Sequence, residues 1–232
     1  MRVKRLSRSR RSATWLTAAV AALLGVVILT GCTVQTSESN ESSPLVIGAS
    51  SAPEMRMVAH IYRAVLVAAG TEVSPEVIIA DDTAQLTAMG SAERDLFPAF
   101  SGRLLAALVP QSVATNATAA STEPAADFDQ TYIQLNRSLP QGITLADPTT
   151  VTTAGLAGAA SDKPSDNQNE LSQQLVPVYR GAALNREQVK TINKVAGELT
   201  AGDLVAMSGE VARGADPANL AARWVVTHGL TH

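Results

Sequence analysis

Cys32 is the only cysteine of the chain, and the residues before it give its thiol a specific chemistry. It follows Leu29-Thr30-Gly31, in which the two small residues suit a signal peptidase that cuts directly before the cysteine. Cleavage there would leave Cys32 as an N-terminus that accepts palmitate-type acyl chains. The pattern predicts a bacterial lipoprotein signal, with the mature chain anchored by lipid at the extracytoplasmic face of the cell membrane.

The segment before Cys32 has the other parts of such a signal. The first 14 residues carry six basic side chains and no acid, and residues 15–29 are almost all apolar. A membrane-spanning helix is the alternative, but it needs about 18–20 apolar residues. We therefore expect residues 1–31 to be a removable signal peptide. Arg10-Arg11 leaves twin-arginine export as an alternative to ordinary secretion, although the next residues lack the apolar pair of that signal.

A second candidate for chemistry is the run Asp95-Leu96-Phe97-Pro98-Ala99-Phe100-Ser101-Gly102. Two phenyl rings stand three residues apart where a strand is expected to lead into a helix, and Ser101-Gly102 should offer backbone N–H groups there. Ring faces attract cations. We therefore predict that Phe97 and Phe100 are partly exposed at the carboxyl edge of a sheet. Burial of both rings in the core is the alternative.

The chain has no recognisable catalytic or metal-binding pattern. Its three histidines, His60, His228 and His232, have no metal-ligand spacing, and there is no serine elbow, phosphate loop or zinc motif. The acid pairs Asp81/Asp82 and Asp127/Asp129 stand where helices are expected to begin, so capping explains them. We expect a protein that is not an enzyme and that uses no metal or cofactor.

Composition narrows the possible partners. Without residues 1–31 the chain keeps 12 Lys and Arg against 21 Asp and Glu, a net charge of −9. An acidic chain without clustered basic residues does not bind nucleic acid. Residues 32–44 contain almost nothing to bury and predict a flexible tether, after which residues 45–232 form the globular part.

Strand and helix patterns alternate along that globular part. The alternation predicts an open, mostly parallel α/β sheet with helices on both faces. Residues 110–124 predict a surface loop, and residues 157–170 are polar and rich in turn formers. The predicted strands are 45–48, 73–80, 95–97, 143–145 and 175–179, and the predicted helices are 54–69, 84–92, 101–109, 125–139, 185–199, 200–212 and 217–228.

Several short segments of the chain follow one another in the order of a known family. They are Val46-Ile47-Gly48 to Glu54, Thr83 to Glu93, Asp95 to Gly102, Leu175 to Arg180, Ile192 to Val195, Leu199 to Leu204 and Ala221 to Leu230. In that order the chain resembles the substrate-binding proteins of ABC importers for glycine betaine, choline and related osmoprotectants. The resemblance covers residues 45–156 and 171–230. It implies a type II periplasmic-binding-protein-like fold and an ABC permease as partner.

The resemblance also implies a ligand and a site. Members of the family hold a quaternary ammonium group between aromatic faces, each worth about 0.5–2 kcal/mol. Phe97 and Phe100 stand where the family has tyrosines. Arg103 puts a fixed positive charge where the family has threonine, and it would repel a cationic ligand unless it points outward or is paired. The candidate ligand-binding residues are Ser50, Ser51, Glu54, Phe97, Phe100, Ser101 and Gly102.

The family inserts its whole second lobe where this chain has only residues 157–170. A segment of that length cannot form a domain, so we expect a single lobe. An open half-site cannot enclose a small solute, because pockets commonly bury about 70–90% of their ligand. Two interpretations remain: a lipid-anchored solute-binding protein of an importer, or an interaction module of the cell envelope that docks on a permease or a full-length binding protein and no longer binds solute.

Overall fold

The computed structural model describes residues 43–109, 124–153, 155–156 and 174–231, with only the backbone at 124–127. The predicted signal peptide, Cys32 and the turn-rich segment 157–170 lie outside the described residues. The strands are β1 (Leu45–Ala49), β2 (Val73–Ile79), β3 (Leu96–Phe100), β4 (Ile143–Leu145) and β5 (Leu175–Arg180). The helices are α1 (Pro53–Ala68), α2 (Asp82–Gly90), α3 (Ser101–Leu108), α4 (Pro124–Ser138), α5 (Arg186–Glu198), α6 (Ala201–Ala212) and α7 (Pro217–Thr227).

The five strands of the described residues form one open sheet in the order β2-β1-β3-β5-β4. β1 runs parallel to both β2 and β3, whereas β5 runs antiparallel to both β3 and β4. Four of these strands therefore point in one direction. The predicted mostly parallel sheet is confirmed, with β5 as its one reversed strand.

Helices cover both faces of the sheet, as the sequence predicts. On one face α1, α5, α6 and α7 enclose a core that includes Ile47, Leu96 and Phe100. On the other face α2, α3 and α4 enclose a second core that includes Phe97 and Val178. The fold is thus a single α/β lobe with a separate apolar core on each face.

Side-chain caps begin most of the helices. The Asp81 carboxylate accepts a hydrogen bond from the Ala84 N–H at 2.8 Å, which confirms the capping role predicted for it. Asn185 with Gln188 and Thr200 with Asp203 form capping boxes at α5 and α6. The two exceptions with no side-chain cap are α1 and α3, among helices whose first turns are described.

A buried polar side chain joins α2 to the sheet. The Gln85 amide is fully buried and donates hydrogen bonds to the carbonyls of Ala49 and Ile78, each at 3.0 Å. Its Oε1 accepts from Nε of the buried Arg94 at 2.7 Å. This side chain lies flat on Gly48, where a Cβ would come within 2.1 Å of Gln85 Oε1. Glycine is therefore required at position 48, because a side chain there would collide with Gln85. The hydrogen bonds of Gln85 link β1, β2 and Arg94.

Asp95 ties three strands together at the amino edge of the sheet. Its carboxylate accepts a hydrogen bond from the Val46 N–H at 2.8 Å and an ion pair from Arg180 Nη2 at 2.6 Å. The carboxylate is almost completely buried, with 8% of the side chain exposed. The first residue of the Asp-Leu-Phe-Pro run thus holds β1, β3 and β5 in register.

Tyr62 offers a stability prediction, because its buried hydroxyl has no hydrogen-bond partner among the described residues. Burial raises the pKa of this phenol far above its ordinary value. An unpaired buried hydroxyl costs free energy, so Tyr62→Phe should leave the free energy of unfolding unchanged or raise it by up to about 1 kcal/mol.

Urea titration followed by circular dichroism measures this effect. Tyr132→Phe is the matched control, because the Tyr132 hydroxyl donates to the Ala146 carbonyl at 3.4 Å and its removal should be mildly destabilising. A loss above about 1 kcal/mol for Tyr62→Phe would show instead that the hydroxyl has a partner.

Candidate functional site

The carboxyl edge of β1 and β3 brings together most of the residues predicted to bind a ligand. Ser50 and Ser51 follow β1, and Glu54 lies in the first turn of α1. Ser101 and Gly102 begin α3 directly after β3. Because β1 and β3 are neighbouring parallel strands, these two groups of residues lie at the same edge.

Phe97 and Phe100 do not form the predicted aromatic site. β3 continues through Pro98 to Phe100, so the two rings lie on one strand, three residues apart, and point to opposite faces of the sheet. Phe97 is 0% exposed and Phe100 is 2% exposed, in separate cores. The prediction of partly exposed rings is wrong, and the two faces cannot enclose one ligand.

The positively charged side chain of Arg103 lies over the Phe100 ring. The Arg103 guanidinium carbon lies 5.3 Å from the ring centroid, within the range of a cation–π contact. Arg103 also lies near Asp82: burial raises the pKa of that carboxyl, while the Arg103 charge lowers it. A positive charge of the chain therefore lies against the aromatic ring that was expected to bind a cation.

The junction between β1 and β3 has the topology of a ligand site. The helix that follows β1 packs on one face of the sheet, and the helix that follows β3 packs on the other. Where neighbouring parallel strands send their helices to opposite faces, a crevice opens at the carboxyl ends of the strands. The structure therefore places Ser50, Ser51, Ser101 and Gly102 at a topological switch point.

Backbone and hydroxyl groups at this crevice are only partly satisfied. The Ser101 N–H donates to the Gln174 carbonyl at 2.9 Å, so the prediction of a free N–H at Ser101 is wrong. The hydroxyl of Ser50 is buried without a hydrogen-bond partner among the described residues. Ser101 itself is 1% exposed. An unpaired buried hydroxyl at a switch point suits a polar ligand.

The opposite, amino edge of the sheet carries a cleft that the sequence did not predict. Its volume is about 900 Å³. The Asp95–Arg180 ion pair lies in its wall, and Arg180 Nε is buried there with no partner among the described residues. Asp95 and Arg180 are 85 positions apart, so no local pattern could have paired them. Other residues that line it are Ser43, Pro44, Glu72, Asn185, Glu187 and Gln188.

Other ionisable groups do not build a reaction centre in the described ranges. Burial, followed by the nearby Arg63 charge, lowers the pKa of His60 on α1. His228 stacks on Trp224 with ring centroids 4.2 Å apart. No group of three or more His, Cys, Asp or Glu able to hold a metal ion occurs among the described residues. None of the described helices is long and apolar enough to span a membrane.

No family model and no curated protein matches the chain. Solved structures do match. One is described as apo YehZ from Escherichia coli: it is 14% identical, covers 82% of this chain and 100% of its own, and has a TM-score of 0.59. Another is described as a glycine betaine/carnitine/choline ABC transporter, with 14% identity, coverage of 81% and 100%, and a TM-score of 0.58. The chain shares the α/β fold of these two proteins.

Proposed function

We propose that the mature chain is a lipid-anchored, extracytoplasmic, non-catalytic lobe of the binding-protein kind that serves an ABC importer, and that its aromatic site for quaternary ammonium ligands is closed. In this proposal residues 1–31 are removed, Cys32 carries the lipid, and residues 32–44 tether the lobe. The leader pattern, the ordered sequence resemblance and the shared fold support the association with an importer.

The observation that carries the proposal is the placement of Phe97 and Phe100 on opposite faces of the sheet. A quaternary ammonium group needs several converging ring faces, because each ring contributes only about 0.5–2 kcal/mol. The Phe97 ring is sealed beneath α2, α3 and α4, and Arg103 occupies the Phe100 ring. A permanent cation brought to this edge would meet the Arg103 charge and no aromatic box.

Calorimetry tests whether the chain still binds quaternary ammonium compounds. The chain from residue 32 onward, with Cys32→Ser to prevent oxidation, is titrated with glycine betaine, choline, carnitine and proline betaine. We expect no saturable heat from a sample shown to be folded by circular dichroism. Saturable heat that disappears in Phe100→Ala would contradict the proposal, because it would show that this ring still holds an ammonium group.

The lipid anchor has its own test. The full chain is expressed in a bacterium with an alkyne-labelled palmitate, and membrane and soluble fractions are compared with those of Cys32→Ala. The wild-type chain should incorporate the label and sediment with membranes, and the variant should lose the label. If Cys32→Ala stays labelled in the membrane fraction, the lipid is not attached at Cys32.

A second candidate is an interaction module that docks on a permease or on a full-length binding protein and binds no solute. The single lobe favours it, because its carboxyl edge has no facing domain among the described residues to enclose a ligand. The two candidates differ in whether the carboxyl edge binds any small ligand at all.

A further inference from the structure

We propose that the outer side of β2, meaning the side away from β1, pairs with the same strand of a second copy of this chain. Two sheets would then join into one continuous sheet across a two-fold axis. The inference goes beyond the proposed function and does not depend on it. The partner is the chain itself, because the outer side of β2 is self-complementary in hydrogen bonds, in apolar side chains and in charge.

The backbone of β2 has free hydrogen-bonding groups on its outer side. β2 ends the strand order, so among the described residues no strand lies beyond it. The Ala80 N–H donates to the Ala49 carbonyl at 3.0 Å. Because backbone groups alternate along a strand, the residues on either side of Ile79 bond inward to β1. Val77 and Ile79 therefore direct their N–H and C=O groups outward, where another strand can receive them.

The same strand exposes apolar side chains that a sheet edge usually lacks. Ile78 and Ile79 are 38% and 46% exposed, and they point to opposite faces of the sheet because side chains alternate along a strand. Natural sheet edges are normally protected by charged residues, by proline or by a covering segment. Pro75 protects the first half of β2 in this way. Residues 77–79 are the part of the strand that remains open to pairing.

The antiparallel pairing that uses these groups is centred on Ile78. In this register Val77 of one copy lies opposite Ile79 of the partner subunit, and each such pair exchanges two backbone hydrogen bonds. The two-fold axis creates the pair twice, so four backbone hydrogen bonds form. The two Ile78 side chains then face each other in the narrower, non-hydrogen-bonded position, where side chains pack most closely.

The charges at the two ends of β2 favour an antiparallel copy of the same chain. Arg63 lies beside the beginning of β2, because its Nε–H donates to the Ser74 carbonyl at 2.9 Å. Asp81 and Asp82 follow the end of the same strand. In the register centred on Ile78, residue 74 of one copy lies opposite residue 82 of the other. The basic beginning of each strand therefore meets the acidic end of its partner.

Analytical ultracentrifugation of the chain from residue 32 onward, with Cys32→Ser, measures the association. We expect reversible dimers with a micromolar dissociation constant, because the interface is small. Ile79→Lys should raise this constant at least about tenfold, since the two-fold axis places the new charge in the interface twice. Ile133→Lys is the matched control, because Ile133 is 41% exposed on α4, and it should leave the dimer unchanged.

An exchange of charges tests whether the two ends of β2 meet. Arg63→Glu and Asp82→Lys, each shown to be folded by circular dichroism, should weaken self-association because like charges then face each other. An equimolar mixture of the two variants should dimerise again, since every facing pair in the mixed dimer carries opposite charges. Arg137→Glu, at an exposed position of α4, is the control, and its mixture with Asp82→Lys should restore no dimer beyond that of Arg137→Glu alone.

Disulfide trapping tests the register. In the Cys32→Ser chain, Ile78→Cys supplies the only thiol, and copper phenanthroline serves as the oxidant. Facing residues of an antiparallel pair have Cβ atoms about 4.5–5.5 Å apart, close enough for a disulfide after a small adjustment. Ile78→Cys should therefore give a covalent dimer. Ile133→Cys, which is similarly exposed in the wild-type chain, should give much less.

Three results would overturn the inference. The first is a wild-type chain that stays monomeric up to about 200 μM. The second is a dimer that Ile79→Lys leaves intact, and the third is a mixture of Arg63→Glu and Asp82→Lys that stays monomeric although the wild-type chain dimerises. Equal trapping through Ile78→Cys and Ile133→Cys would likewise contradict the proposed register, because it would indicate random collision. The calorimetric test of the proposed function is independent of all these results.

Discussion

Gln85→Leu should lower the free energy of unfolding by about 3–5 kcal/mol, as measured by urea titration. Leucine nearly matches the volume of glutamine but can neither donate to the Ile78 carbonyl nor accept from Arg94. Arg94 is 7% exposed, so its Nε–H would remain buried without a partner. A buried group left unpaired costs its full desolvation, which is why the expected loss exceeds that of an ordinary hydrogen bond.

A double-mutant cycle separates this cause from simple repacking. Gln85→Leu combined with Arg94→Met removes both partners, and the pair should be less destabilised than the sum of the single variants by at least about 1 kcal/mol. If the two losses are additive, or if Gln85→Leu alone costs less than about 1 kcal/mol, the Gln85–Arg94 contact does not stabilise the sheet.

Asp95→Ala should destabilise the chain by about 2–4 kcal/mol. The variant leaves the Val46 N–H without its acceptor and removes the counter-ion of Arg180. We set the range below that for Gln85 because 28% of the Arg180 side chain is exposed, so water can compensate part of the loss. The measurement is again urea unfolding, at low and at high salt.

Exposed ion pairs provide the control for Asp95. Glu210→Ala breaks the pair with Arg223, whose atoms are 3.8 Å apart and whose side chains are 45% and 72% exposed. This change should cost less than about 0.5 kcal/mol. Equal losses for Asp95→Ala and Glu210→Ala would contradict the role of Asp95 as the tie between three strands.

The alternation of elements could be predicted because each element carries its own local signal. The apolar run before Gly48, the helical spacing from Met55 to Leu66 and the Asp81 cap are short-range patterns, and the structure confirms all three. The direction of each strand was harder to predict from the sequence. The reversal of β5 depends on its pairing with β3, far away in the chain, and no periodicity within Leu175–Arg180 records it.

The prediction of exposed Phe97 and Phe100 rings was wrong because β3 ends later than the sequence pattern indicated. Proline normally ends a strand because it has no N–H to donate, so the sequence predicted a junction near Pro98. In the structure Pro98 lies directly opposite Pro177 on β5, and the strand continues to Phe100. At this pair neither proline has to donate an N–H hydrogen bond to the other. This pairing between distant segments put the rings on opposite faces, and a local pattern could not reveal it.

The candidate site was predictable in part. Ser101 and Gly102 were placed at a strand-to-helix junction from the sequence pattern, and Ser50 and Ser51 were candidates that came with the resemblance. All four lie at the carboxyl edge of the sheet. The contact between Arg103 and Phe100 was not predictable, because it depends on β3 continuing through Pro98 to Phe100. The amino-edge cleft depends on the distant pair Asp95 and Arg180.

The backbone on either side of residues 157–173 has a consequence for the evolution of the chain. Thr152 pairs with Gln174, and the Leu175 N–H donates to the Val151 carbonyl at 3.0 Å. Residues 151–152 and residues 174–175 are therefore held together at one point of the lobe. Because the entropy of closing a loop grows only slowly with its length, this point can accept or release a whole domain with little strain on the sheet. The lobe therefore has a point at which a domain can be inserted or removed without rebuilding the sheet.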